Sequence, residues 1–273
     1  IMLSSLTQRG ADAAMKALYL GAVDFISKPS GAMEINNTAN EIIRKIKIAA
    51  ATRHRLKKQV VQPIAQRIKP IKTTVNAKDA LGNLVLIGTS TGGPRALHEV
   101  IPKLPGELEA ADLVVQHMPS GFTRSLAERL DRLSALRVKE AKNGEPILRG
   151  CVYIAPGDFH LKVKRLGDLS NPRLRVNLTQ DPLVSGHRPS VDAMIDSVVK
   201  EFWSKIVTVI MTGMGQDGAK GTDWVKNKGG KVIAEDSSTC IVYGMPRAVI
   251  ETGNADRVLP LQNIANAITK MVL

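Results

Sequence analysis

Only two cysteines, Cys151 and Cys240, occur in 273 residues. They lie far apart and match no metal-ligand spacing, so neither a disulfide scaffold nor a zinc module is indicated, and reduced cytoplasmic thiols are expected. Aromatic residues make up 3% of the chain, too few for the stacking platforms that bind single-stranded nucleic acid. No apolar run approaches the ~18 residues of a membrane helix, and the N-terminus lacks the basic flank of a signal peptide. No membrane insertion is expected. The chain opens on Ile1, in a stretch that reads as the end of a buried strand, so a fragment or trimmed form of a longer chain is expected. Acidic residues are missing altogether between Arg44 and Lys78, where eleven basic ones fall. The net charge of +13 therefore belongs mainly to one segment. With no helix-turn-helix or zinc-finger pattern beside it, that segment reads as a solvated linker and not as a nucleic-acid surface.

What is present divides the chain at residues 50 and 82. Residues 1–50 read as strand, helix, the short strand Ala22–Ile26 ending at Lys28-Pro29, and a second helix bearing Ile42, Ile43, Ile46 and Ile48. Residues 51–82 are basic and polar, with Pro63 and Pro70, as a linker is. Residues 83–273 alternate apolar strands with helical periodicity, which predicts a doubly wound, mostly parallel α/β sheet. Its clearest strands are Leu84–Ile87, Leu113–Gln116, Ile206–Met211 and Lys231–Ala234. Cys151–Ala155, His160–Lys164 and Leu174–Leu178, joined by Pro-Gly and Gly-Asp turns, read as an antiparallel edge hairpin or flap.

Chemistry concentrates at the strand ends. Leu84–Ile87 runs into Gly88-Thr89-Ser90-Thr91-Gly92-Gly93-Pro94, a G-x-S-x-G spacing in which glycines permit a sharp turn that projects Ser90. A helix N-terminus follows and offers N–H groups to an oxyanion, although the same turn could cradle a phosphate. Neither the Walker lysine nor a full G-x-G-x-x-G accompanies it. A serine nucleophile needs a base. His54 lies in the linker, His98 on the following helix and His160 in the hairpin, while His187 precedes a helix. His117 follows the strand Leu113–Gln116 directly, at the same carboxyl edge as Ser90, where ligands of open α/β sheets bind. The orienting carboxylate is Asp217, in the turn Thr212–Ala219 after the most apolar strand, with Asp192 and Asp236 as alternatives and helix capping as the competing role. The order Ser, His, Asp differs from that of the α/β-hydrolases.

In order, IGTSTGGP (87–94), QHMP (116–119), YIAPGDFHL (153–161), GHRPSVD (186–192), MTGMGQDGA (211–219) and GMPRAV (244–249) resemble the catalytic domain of the chemotaxis protein-glutamate methylesterases. The resemblance implies Ser90 as nucleophile, His117 as base and Asp217 as its partner. It places the backbone around Thr91 and Met214 near the oxyanion and has His187 and Arg188 flank the site. Thr89 stands where the family often has Ala or Ser. The implied reaction is demethylation of glutamyl esters, and deamidation of glutamines, on methyl-accepting chemotaxis receptors, with no metal or cofactor. Residues 1–50 resemble the last part of a receiver (flavodoxin-like) domain. Ser4 or Ser5 stands at its switch hydroxyl and Lys28 at its conserved lysine, which implies a chemotaxis histidine kinase as partner of the full-length protein. The phosphoacceptor would precede Ile1. Two strands and two helices give little apolar surface for an independent core, so this part is expected to be loosely ordered or docked non-natively.

Overall fold

In a computed structural model, residues 1–4, 7–28, 35–56, 81–166, 173–202 and 204–272 are described. The expected linker thus falls largely outside the described residues, as do Ser5 and Pro29.

The main unit is built on seven parallel strands. They are β3 (Asn83–Thr89), β4 (Ala111–Gln116), β5 (Arg137–Glu140), β6 (Cys151–Ile154), β9 (Lys205–Ile210), β10 (Lys231–Glu235) and β11 (Arg257–Leu259), in the order β11-β10-β9-β3-β4-β6-β5. Every residue of β4 and β6 is buried. Such strands read as continuous apolar runs because helices cover both faces of a parallel sheet. Val85 and Ile87 of β3 face a layer holding α3 (Gly93–Val100), α4 (Phe122–Asp131) and α8 (Leu261–Val272), whereas Leu84 and Leu86 face α5 (Val191–Glu201), α6 (Ala219–Asn227) and α7 (Met245–Glu251).

The expected mostly parallel sheet and the hairpin are both present, with one reassignment. The hairpin consists of β7 (His160–Leu166) and β8 (Arg173–Thr179), a separate antiparallel pair that packs on α5. Cys151–Ile154 does not belong to it. That strand is apolar on both faces and sits between β4 and β5 in the parallel sheet.

At the N-terminus, β1 (Met2–Ser4) and β2 (Phe25–Ser27) pair in parallel and flank α1 (Gln8–Tyr19), followed by α2 (Ile35–Leu56), which runs on past residue 50. Loose order is not what residues 7–28 display. Ala11, Ala14, Met15 and Leu18, spaced for one face of α1, are buried together with Leu97 and Leu126 in the core layer of the main unit. Phe25 stacks on Phe122 at 4.4 Å, and Tyr19 meets the His98 ring at 4.6 Å and the Arg129 guanidinium at 4.3 Å. The apolar stripe that could not form a core alone borrows one from α3 and α4.

Candidate active site

The sheet changes direction around β3, since the chain builds outward through β4 to β6 and β5 and returns to β9 on the other side. A crevice at such a point lies at the carboxyl ends of the strands, and β3, β4 and β9 each deliver one of the expected residues there.

Ser90 follows β3. Gly92, at φ +83°, takes the left-handed conformation that turns the chain into α3. The turn is tied down from three sides. Ser90 N–H donates to Thr212 O at 3.0 Å, Gly93 N–H to Ser90 O at 2.8 Å, and Gln116 Nε2 to Ser90 O at 2.9 Å. Gly213 presses on it from the turn after β9, where a Cβ would lie 2.9 Å from Ser90 Cβ. That turn is itself anchored by Glu235, whose carboxylate accepts the Thr212 N–H at 2.7 Å and whose burial raises its pKa to about 6.

His117 follows β4. The register pairs Thr89 with Gln116, so the next residues, Ser90 and His117, leave the ends of adjacent strands. The imidazole is 6% exposed, and its Nε2 bonds Asp217 Oδ2 at 2.8 Å. Its Nδ1 is buried and makes no hydrogen bond among the described residues. No hydrogen bond joins it to Ser90 Oγ. The His187 ring stacks on His117 at 3.8 Å and 16°. Burial, and then the neighbouring His117, depress the pKa of His187 to about 4, so it is neutral at physiological pH.

Asp217 is 1% exposed. Besides His117 it accepts from Ser190 Oγ, Val191 N and Asp192 N, at 2.8, 2.7 and 3.0 Å. Burial pushes its carboxyl up, but the His117 hydrogen bond and charge, with the N–H donors, outweigh this and hold it below the usual carboxylate range. The capping role for its own helix is not realised, because the N-cap of α6 is Gly218, which makes no side-chain cap. Asp192 instead ties α5 to α6 by accepting from Gly221 N at 2.7 Å, and burial followed by the charge of Asp217 raises its pKa to about 6.

Other expected positions fall as follows. The N–H groups of Thr91 and Met214 donate no hydrogen bond among the described residues. The Thr91 hydroxyl donates to Asp24 of the N-terminal segment at 3.0 Å. Arg188 turns its guanidinium to the carbonyls of Gln180 and Asp181, bracing the loop that carries His187. His98 and His160 are buried away from the crevice, against Tyr19 and Pro182 O respectively. Asp236 accepts from Ser238 N in its own turn. Ser4 Oγ donates to Gly10 O, and the Lys28 N–H to Ser4 O. Among the described residues no three His, Cys, Asp or Glu side chains are grouped to hold a metal.

A family model described as CheB methylesterase matches residues 85–268, a span that takes in Ser90, His117 and Asp217. The chain belongs to the CheB methylesterase family. Over its whole length it is 52% identical to a protein-glutamate methylesterase/protein-glutamine glutaminase of Syntrophomonas wolfei, covering 78% of that relative. It is 46% identical to the protein of the same name from Thermotoga maritima, covering 76%. Among solved structures, the CheB methylesterase catalytic domain of Thermotoga maritima superposes with a TM-score of 0.67 at 50% identity, over 70% of this chain and 99% of that one. The α/β unit described above is thus the fold of a CheB methylesterase catalytic domain, and the chain is an enzyme of that family. No helix among its described residues is long and apolar enough to cross a membrane.

Sequence reasoning missed Gln116 and Ser190 in this CheB-family site. Gln116 lies inside the QHMP motif, but its cross-strand bond to Ser90 is tertiary. Ser190 carried a signal, a serine just before a helix, without saying what its hydroxyl faces.

Proposed function

We propose that the chain hydrolyses γ-methyl esters of glutamate side chains on methyl-accepting chemotaxis receptors, with Ser90 as nucleophile, His117 as base and Asp217 as the carboxylate that orients it. The same site would release ammonia from receptor glutamines, in keeping with the two activities in the relatives' names. One observation carries the reading. Asp217 engages His117 through Nε2, which leaves the buried Nδ1, without a partner among the described residues, as the nitrogen to take a proton from Ser90 at the end of the neighbouring strand.

Ser90 Oγ attacks the ester carbonyl carbon while its proton passes to His117 Nδ1, and the Nε2–H bond to Asp217 steadies the imidazolium. The N–H groups of Thr91 and Met214 receive the negative charge gathering on the carbonyl oxygen. The carbon–oxygen bond to the methoxy group breaks, Nδ1 returns the proton and methanol leaves. Water then attacks the glutamyl–serine ester by the same route, giving the carboxylate and free Ser90. Neutral His187, stacked on His117, fixes the ring plane without adding charge.

Residues 1–50 are read as the closing part of a receiver domain, with a chemotaxis histidine kinase as partner of the full-length protein. The pairing of β1 with β2 and the position of Lys28 after β2 support this.

The test is labelling with a fluorophosphonate, together with methanol release from methylated receptor membranes. Label is expected on Ser90, and Ser90→Ala should lose both label and turnover. Methanol release undiminished in Ser90→Ala would refute the assignment.

A further inference from the structure

Asp217 is held by more than the histidine it serves. A carboxylate offers about four lone-pair sites, two on each oxygen, and all four are filled. Oδ2 takes His117 Nε2 at 2.8 Å and Val191 N–H at 2.7 Å, while Oδ1 takes Ser190 Oγ at 2.8 Å and Asp192 N–H at 3.0 Å. Three of these donors come from the start of α5, where Ser190 is the N-cap. The direction of its hydroxyl is settled by its other contact: Ser190 Oγ accepts from Ala193 N at 3.3 Å, so its hydrogen is left for Asp217. Ser190 is 0% exposed, so no bulk water stands by to replace it.

We infer that Ser190 is a positioning residue for the reaction, its hydroxyl fixing the Asp217 carboxylate in the plane that meets His117. The inference rests on the triad reading of Ser90, His117 and Asp217. Without that hydroxyl, Oδ1 keeps a single donor and the carboxylate can rock about its Cβ–Cγ bond, so the imidazole it holds is no longer fixed in one plane. The carboxylate charge also becomes less shared and concentrates toward His117, which favours the protonated imidazole. Two effects follow, a lower rate of the chemical step and a need for higher pH to free the base.

The experiment compares Ser190→Ala, Ser190→Gly and Ser190→Thr in the full chain, measuring methanol release from methylated receptor membranes across pH. Glycine serves nearly as well as serine at an N-cap whereas alanine does not, so the first two variants separate loss of the Asp217 contact from loss of the cap. Both should lower kcat by about 10- to 100-fold, the scale of a hydrogen bond to a charged group, with little change in KM. In both, the acid limb of the kcat/KM profile should move to higher pH. Threonine retains the hydroxyl and should restore both. Loss in Ser190→Ala that Ser190→Gly does not share would assign Ser190 to helix capping and overturn the inference. So would wild-type kcat and an unmoved acid limb in both variants, with Ser90→Ala inactive and the triad intact. Full turnover in Ser90→Ala would instead remove the triad reading itself, and the inference with it.

Discussion

Asp112 gives the sharpest test of how the sheet is packed. It sits in β4 opposite Val85 and Val152, with no solvent exposure and no partner among the described residues for either carboxylate oxygen. Alternation along the strand points it to the same side as Val114, into the apolar layer shared with α3 and α4. Burial alone raises its pKa to about 8. Unfolded, an aspartate titrates near ~3.9. Between those values the unfolded chain holds fewer protons than the folded one, so stability is fully present below the lower value and falls as pH rises toward the upper. The slope is about 1.4 kcal/mol per pH unit, hence about 3 kcal/mol between pH 5 and 7.5 from this one group. Asp112→Leu has nearly the same skeleton and no charge. Asp112→Asn also removes the titration but keeps unpaired polar atoms, at a cost of about 1–3 kcal/mol. Urea unfolding of the three proteins from pH 5 to 8 provides the assay. The advantage of Asp112→Leu over the wild type should widen with pH by about 3 kcal/mol, whereas its advantage over Asp112→Asn should stay constant. Parallel wild-type and Asp112→Leu curves would mean that the carboxyl is solvated or paired, contrary to the packing described.

The triad variants Ser90→Ala and His117→Ala should each abolish most turnover, with the double variant little worse; additive losses would argue against shared chemistry. Asp217→Asn should cost about 10⁴-fold in rate, as in serine proteases, and also lower stability, because its amide group would confront the N–H donors of α5; chemical denaturation and methanol release check the two effects separately. Gly213→Ala, whose new methyl would press on Ser90 and on the Met245 sulfur, should destabilise by about 1–3 kcal/mol and lower kcat more than it changes KM. His187→Ala frees one face of His117 and should reduce kcat by up to about 10²-fold through misplacement of the ring, while leaving the shape of the acid limb unaltered above pH 5, where His187 carries no charge.

Legibility in the sequence followed burial. Strands β3, β4, β9 and β10 could be read because both faces are covered and most of their residues are apolar. The edge strand β5, Arg-Val-Lys-Glu, has only one fully buried residue and gives no such run. Cys151–Ile154 was visible as a strand, but its partners were not, since neighbouring turns suggested a hairpin that in fact begins at His160. Of the site, the residues at strand ends could be named because the α/β architecture dictates where ligands bind. What could not be named depends on contacts across about 25 residues or more: Ser190 to Asp217, and Gln116 to Ser90. The period of α1 announced an apolar face, but not that α3 and α4 would cover it.

The three side chains of the proposed triad come from loops that no local segment can bring together, with 100 residues separating His117 from Asp217. Contacts of such sequence separation form late, because loop closure must precede them. Catalysis in this chain is therefore a property of the closed sheet, and in refolding, ester hydrolysis should recover only after helical circular dichroism. The dependence runs the other way under mild denaturant. A local opening that lifts the first turn of α5 releases Asp217 while leaving most of the core in place, so the enzyme should fall silent well before it unfolds.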